Sequence, residues 1–273
     1  MTDRPLTLER CTPHTGAIIR GVDITQPISD AVQQRLLAAL LEHGVIFFRD
    51  QPFDAASLKR FAESFGTLLV PTILDPKYML PDAPGIVRIH ADADSRFVAG
   101  EDWHSDMTCN EAPPFGTILS IHTLPDCGGD TCFSNMYAAY DALSDGMKTL
   151  LADKTALHDG ARVFAKVNEA DGRSYPRAVH PVIRTHPSTK RKAIFVNKQF
   201  TARINELAAD ESAAILTFLN AHVSKPQFQT RFRWERHSVA FWDNRCLQHT
   251  AVWDYFPHTR SGLRATLAGD LPV

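Results

Sequence analysis

A chain of 273 residues with 44% hydrophobic and 22% charged residues has the make-up of a folded globular protein, which excludes a disordered or fibrous one. A formal net charge of -2 and a pI near 6.6 exclude a global field for nucleic acid or an anionic membrane. No stretch approaches the roughly 18 apolar residues of a membrane span, and Asp3, Arg4, Glu9, Arg10 and Arg20 break up any apolar run that a leader peptide needs.

From the N-terminus, Ser29 or Asp30 caps a predicted helix with Val32, Leu36, Leu37, Leu40 and Leu41 on one side, and Gly44 lies just past its end. Val45 to Phe48 reads as a buried strand. Asp54 caps a second helix through Leu58, Phe61, Ala62 and Phe65, stopped by Gly66. Ala193 to Val196 and Ser238 to Trp242 read as strands, and a third helix is expected from Asp210 to Ser224, ended by Lys225-Pro226. Phe228, Thr230, Phe232 and Trp234 alternate with Gln229, Arg231 and Arg233, the two-residue period of a half-buried strand. No repeat or long linker divides the chain, so one domain over residues 1–273 is expected. Its class is α+β, a jelly roll or β-sandwich with helices packed outside. The five cysteines (Cys11, Cys109, Cys127, Cys132, Cys246) form an odd set without a CxxC pair, which points to a reducing, cytoplasmic home.

The chemistry starts at Trp103-His104-Ser105-Asp106. On an extended segment, residues two apart share a side, so His104 and Asp106 can face one point. A bare HxD triplet also occurs as a capped surface turn, so a third ligand has to be found. Of the twelve histidines, His249 is the best candidate, where the apolar Phe241-Trp242 runs into a polar turn. Two histidines and a carboxylate form the facial triad of non-haem iron(II) oxygenases, with three positions left open. The other histidines read as structural.

Arg260 and Arg264 follow His249 by eleven and fifteen residues. On a strand they share a face with Gly262 and Thr266, opposite Leu263, Ala265 and Leu267, and Gly262 leaves room for a ligand between them. Arginine suits bidentate carboxylate binding in a partly dry pocket. Cys127-Gly128-Gly129-Asp130-Thr131 is a glycine-rich turn that sets Thr131 at the start of a strand, where its hydroxyl can give a carboxylate a second hydrogen bond.

Together these segments resemble the taurine catabolism dioxygenase family of iron(II)/2-oxoglutarate oxygenases over nearly the whole chain. The specific matches are Trp103-His104-Ser105-Asp106, Gly128-Gly129-Asp130-Thr131, His180-Pro181 with Arg184-Thr185-His186-Pro187, Trp242-Asp243-Asn244-Arg245, and His249 followed by Arg260 and Arg264. The resemblance implies a double-stranded β-helix core with flanking helices. It implies Fe(II) held by His104, Asp106 and His249, and 2-oxoglutarate as cosubstrate. Arg260 and Thr131 would hold its distal carboxylate, and Arg264 the keto acid end or an anionic group of the substrate. It implies a small-molecule substrate and O2 as partners, no nucleic acid or membrane, and a homo-oligomer (dimer or tetramer).

Val70 and Gly100 stand where taurine-specific members carry a histidine and an asparagine, which makes taurine doubtful. The stretches Gly100 to Trp103 and Leu157 to Phe164 resemble the aryloxyalkanoate branch, with alkyl sulfate cleavage a neighbouring reaction. A lid is expected within about 157–201, and Leu68, Leu69, Val70 and Phe164 are candidate wall residues. The rival functions are a zinc-type metal hydrolase, for which no general base is marked, and a non-catalytic jelly-roll binding module.

Overall fold

A computed structural model describes residues 5–72, 76–98, 100–167 and 174–273. The N-terminal part is built of β1 (Thr7–Arg10), β2 (Ala17–Arg20), α1 (Asp30–His43), β3 (Val45–Phe48) and α2 (Ala55–Glu63). Ser29 caps α1 by accepting from the Val32 N–H, and Gly44 ends it with φ 73, its N–H returning to the Leu40 carbonyl at 2.8 Å. Asp54 and Ser57 form a reciprocal capping box on α2. Both helices start where the sequence puts them and α1 also stops there, but α2 ends at Glu63 with Ser64 as its cap, short of Phe65 and the expected stop at Gly66.

β4 (Ile86–Ala91), β5 (Gly116–Thr123) and β6 (Thr131–Asn135) follow, then α3 (Met136–Asp141) and α4 (Asp145–Leu151). A smaller unit holds β7 (Thr155–Asp159), α5 (Ala161–Val167), β8 (Arg177–Pro181), β9 (Ile183–Thr185), β10 (Lys192–Ile194) and β11 (Thr201–Ile204). The chain ends with α6 (Ala209–Val223), β12 (Gln229–Phe232), β13 (Ser238–Asp243), β14 (Leu247–Ala251) and β15 (Arg260–Leu267).

Two of these elements are shorter than the pattern suggests. β10 stops at Ile194 because the Phe195 N–H turns to the Val182 carbonyl (2.8 Å). β12 covers only the middle of its alternating stretch, since Pro226 to Phe228 make a 3₁₀ turn. The alternation survives nonetheless: Phe228, Thr230, Phe232 and Trp234 are buried while Arg231 and Arg233 are exposed.

The jelly-roll core is two facing sheets. A seven-stranded sheet runs β1-β2-β3-β13-β5-β15-β4, and a three-stranded sheet runs β12-β6-β14. The two-residue period sorts the central strands β3, β13, β5 and β15 of the large sheet. Ile46, Phe48, Ile118, Val239, Phe241, Ala265 and Leu267 pack on Leu36 and Leu40 of α1 and on Leu58, Phe61 and Ala62 of α2. Val45, Phe47, Leu119, Ile121, Ala240 and Trp242 point the other way, toward Phe133, Phe232 and Leu247 of the small sheet. β13, fully buried between β3 and β5, is the spine of this arrangement. On β15 the helix-facing side is taken by Ala265 and Leu267, so Arg264 and Thr266 belong to the inner side.

Gly262 plays a different part from the one expected. A Cβ there would lie 2.2 Å from the Ser120 carbonyl oxygen, at the bulge where the β15–β5 register shifts. The missing side chain admits a neighbouring strand, not a ligand.

Candidate active site

His104 and His249 meet through the backbone. They form an isolated antiparallel bridge and exchange both hydrogen bonds, His104 N–H to the His249 carbonyl at 3.1 Å and the reverse at 2.8 Å. Their rings lie 4.1 Å apart between centroids. The His104 Nδ1 is 2.8 Å from the Asp102 carbonyl oxygen, which only accepts, so Nδ1 carries the proton and Nε2 keeps a free lone pair. The His249 ring is fixed by Trp242 and Phe133, at 4.7 and 6.0 Å, and its Nδ1 has no partner among the described residues.

Asp106 completes the group. Its Oδ1 lies 3.6 Å from His104 Nε2 and 3.7 Å from His249 Nε2. His104 is extended, as expected, but Asp106 sits in a turn whose next residue, Met107, has φ 45. A closed loop of hydrogen bonds aims the carboxylate. Trp242 Nε1 and the Asp106 N–H both donate to Asn244 Oδ1, at 3.0 and 3.2 Å. Asn244 Nδ2 donates to Thr117 Oγ1 (3.0 Å), and Thr117 donates to Asp106 Oδ2 (2.7 Å). Thr117 was not anticipated; its inward place on β5 is visible only once the strand is paired. Asn244 stood in a quoted motif without a role.

Three buried ligand atoms, two imidazole nitrogens and one carboxylate oxygen within 4.8 Å of one another, fit a divalent metal of intermediate softness. Burial alone pushes the Asp106 carboxyl up, but Arg264, with His249 and His104, outweighs it and holds the group well below the usual carboxylate range. Burial, reinforced by His104, pushes the His249 imidazole down. A carboxylate and neutral imidazoles are the protonation states a metal needs. Arg264 Nη2 reaches Asp106 Oδ1 at 2.6 Å, which places this arginine at the triad.

A second buried group, His186, Asp243 and Cys246, has similar spacing and different chemistry. His186 Nδ1 accepts from the Ser188 and Thr189 N–H groups (3.1 Å each), so its Nε2 carries the proton and donates to Asp243. Arg245 binds both oxygens of Asp243 at 2.9 and 2.7 Å. Burial pushes the Cys246 thiol up, and Asp243 adds to it. With its carboxylate taken up by Arg245 and His186, this cluster is a hydrogen-bonded brace.

Arg260 is 4% exposed. Its Nε donates to the Gly129 carbonyl at 3.0 Å, and its Nη2 is buried with no partner among the described residues. Burial pushes its pKa down. The guanidinium lies over the Trp234 ring at 5.4 Å, and Trp234 Nε1 donates to Thr131 Oγ1 at 3.0 Å. Trp234 thus brings Arg260 and Thr131 to one place and leaves the Thr131 hydroxyl proton free for another acceptor. Sequence reasoning gave this tryptophan an inward position on its strand and no task. Gly129, at φ 73, lets the turn close on Arg260, since a Cβ would stand 3.1 Å from Arg260 Cδ.

The expected wall residues fare unevenly. Leu68 pairs with Leu267 and joins the helix-side core, away from the inner face. Val70 is 54% exposed. Phe164 packs with Cys109 and Phe200 beside the turn that carries Asp106. The expected lid is partly outside the described residues, at 168–173, and the rest is strands and a short helix.

A double-sheet jelly roll with a two-histidine, one-carboxylate centre, and a buried arginine whose Nη2 has no partner among the described residues, defines a class: a non-haem iron oxygenase that also binds a carboxylate cosubstrate. Residues 4–266 match the family model described as taurine catabolism dioxygenase TauD, TfdA family. The chain is 32% identical, over an aligned length of 286, to an alpha-ketoglutarate-dependent sulfonate dioxygenase of Saccharomyces cerevisiae, covering 98% of this chain and 68% of that one. It is 33% identical over 275 to an alpha-ketoglutarate-dependent sulfate ester dioxygenase of Pseudomonas putida, covering 94% and 88%. The crystal structure of a taurine dioxygenase from Burkholderia xenovorans superimposes with a TM-score of 0.86 at 31% identity, covering 98% and 92%. The chain belongs to the taurine catabolism dioxygenase family. It is an iron(II)- and 2-oxoglutarate-dependent dioxygenase, and the hydrolase and binding-module alternatives give way to that finding.

Proposed function

We propose that the chain, as one domain over residues 1–273, oxidises a small anionic organic substrate, an alkyl sulfate, sulfonate or aryloxyalkanoate, with release of succinate and CO2. His104, Asp106 and His249 hold the metal through His104 Nε2, His249 Nε2 and Asp106 Oδ1. Iron(II) bound there supplies the redox chemistry that couples decarboxylation of 2-oxoglutarate to oxidation of a substrate C–H bond. The protein's own residues bind and orient. Arg260 and the Thr131 hydroxyl take the distal carboxylate of the cosubstrate. Arg264, 23% exposed at its side chain, turns from Asp106 to the keto acid end or to an anionic group of the substrate.

The observation that carries this reading is Arg260, a buried cation whose Nη2 has no partner among the described residues, which an incoming carboxylate would satisfy. Two residues argue against taurine itself. Val70 is apolar and exposed, and Gly100 has φ 89 with its Cβ position 2.8 Å from His104 Cε1, so no side chain can extend from there to a substrate. A cytoplasmic location is supported by five free cysteines. A dimer or tetramer is supported by the family resemblance alone.

Anaerobic titration with iron(II) and 2-oxoglutarate tests the reading. A visible charge-transfer band that needs both components is expected, shifting when the matching alkyl sulfate, sulfonate or aryloxyalkanoate is added. Iron bound without a band would overturn it.

A further inference from the structure

The turn that carries Asp106 is strained and needs to be held. Met107 is a non-glycine residue at φ 45, and such conformations persist where the surroundings over-determine them. Within the turn the Asn110 N–H returns to the Met107 carbonyl at 2.9 Å. Before it, Asn244 pins the Asp106 N–H. Beyond it, the grip comes from the region between β7 and β11. His180 Nε2 lies 2.9 Å from the Thr108 carbonyl oxygen and 3.0 Å from that of Asn110, so a single N–H is shared between the two. Asn197 Nδ2 donates to Thr108 Oγ1 at 3.0 Å, and His158 Nδ1 lies 2.9 Å from the same hydroxyl. His180, Asn197, His158 and Thr108 are buried, and Phe195 backs both imidazoles at 5.9 and 5.6 Å.

We propose that His180, backed by His158 and Asn197, is a positioning residue for the metal-binding carboxylate. It holds the Asp106–Asn110 turn in the conformation that sets Asp106 Oδ1 against the two histidine ligands. The proposal rests on the reading of His104, Asp106 and His249 as the ligand set. With the His180 donor gone, the buried Thr108 carbonyl and the half-buried Asn110 carbonyl lose this partner and Met107 loses the restraint on its far side. The carboxylate then samples positions that no longer complete the triad. The region expected as a lid works here as the anchor of the metal site.

The test uses Mn(II), which the same ligands accept, with free ion read by electron paramagnetic resonance in the absence of cosubstrate. His180→Phe keeps the ring contacts and removes the donor, whereas His180→Gln restores an N–H close to the place of Nε2. The Mn(II) Kd is expected to rise at least about tenfold in His180→Phe, as for other outer partners of metal ligands, and to return most of the way in His180→Gln. An unchanged Kd in His180→Phe overturns the proposal, and so does a lowered melting temperature with the Kd unmoved. Failure of the wild-type protein to bind Mn(II) would overturn the ligand assignment itself. Should His180→Phe not fold, Thr108→Val removes the hydroxyl gripped by Asn197 and His158. The same rise is expected there, and an unmoved Kd counts against the proposal equally.

Discussion

Replacing Arg260 with methionine separates a cosubstrate anchor from a structural cation, because the two roles give opposite signs. In the ligand-free protein this guanidinium is buried; among the described residues its Nη2 has no partner and its Nε donates to the Gly129 carbonyl. Burying an ion costs several kcal/mol even after relaxation, while the bond to Gly129 returns roughly 1 kcal/mol. Arg260→Met is therefore expected to leave the free protein as stable as before, or about 1–2 kcal/mol more so, a gain of about 2–6 °C in melting temperature for a chain of this size. Cosubstrate binding moves the other way. Removing one partner of a buried, hydrogen-bonded charge pair costs about 2–5 kcal/mol, which is roughly 30- to 5,000-fold in Kd. Scanning calorimetry with saturating Mn(II), with and without 2-oxoglutarate, reads both signs. At a concentration of about 100 times its Kd the cosubstrate stabilises the wild-type protein by about 2.7 kcal/mol, or about 5–10 °C. In the variant the same concentration gives less than about 3 °C. A variant that melts lower in the free state and keeps the full cosubstrate shift would refute the reasoning.

Three further substitutions probe separate parts of the site. Asp106→Ala is expected to abolish Mn(II) binding in equilibrium dialysis and turnover with every substrate; metal retained at wild-type affinity would mean the carboxylate is misassigned. Gly129→Ala puts a side chain at φ 73 and 3.1 Å from Arg260 Cδ, a cost of about 1–2 kcal/mol. It is expected to raise the KM for 2-oxoglutarate about tenfold with the Mn(II) Kd unmoved, and a change in metal affinity alone would contradict it. Burial, helped by His180, pushes His158 down to about 3. The unfolded chain then takes up a proton near pH 6.5 that the folded protein refuses, so stability is full above that pH and falls as pH drops toward 3. His158→Phe removes this loss, so between pH 7 and 5 its unfolding free energy in urea should fall about 2 kcal/mol less than that of the wild type; parallel decline would rule it out.

Much of this architecture is written in local patterns. The caps at Ser29 and Asp54, the Gly44 stop and the inward alternation around Phe232 need only near neighbours, and all appear in the structure. That His104, Asp106 and His249 come together was readable because they sit in short motifs of unusual composition. Thr117 and Trp234 were not, because each acts through a partner more than a hundred residues away, Asp106 excepted for Thr117, and strand pairing alone brings them to the site. Gly262 was misread for the same reason: the group that needs its missing side chain is the Ser120 carbonyl on the next strand. Leu68 looked like a pocket wall by its place in the chain, yet its bridge to Leu267 turns it to the helix side.

The three proposed ligands are not held in the same way, and this shapes how the site responds to change. The imidazoles ride on a backbone bridge in which His104 and His249 exchange both hydrogen bonds, so their spacing is set by main-chain pairing that side-chain substitutions hardly touch. The carboxylate rides on a turn with a left-handed residue at its centre, and its aim depends on side chains: Thr117 and Asn244 on one flank, His180, His158 and Asn197 on the other. Each of those contacts is one hydrogen bond, worth about 1 kcal/mol net and more when a buried partner is left unmet. Arg264 adds a charge to the same oxygen that a metal would bind, at 2.6 Å. Substitutions outside the proposed ligand set should therefore reach the metal chiefly through Asp106, whose aim is built from side-chain hydrogen bonds.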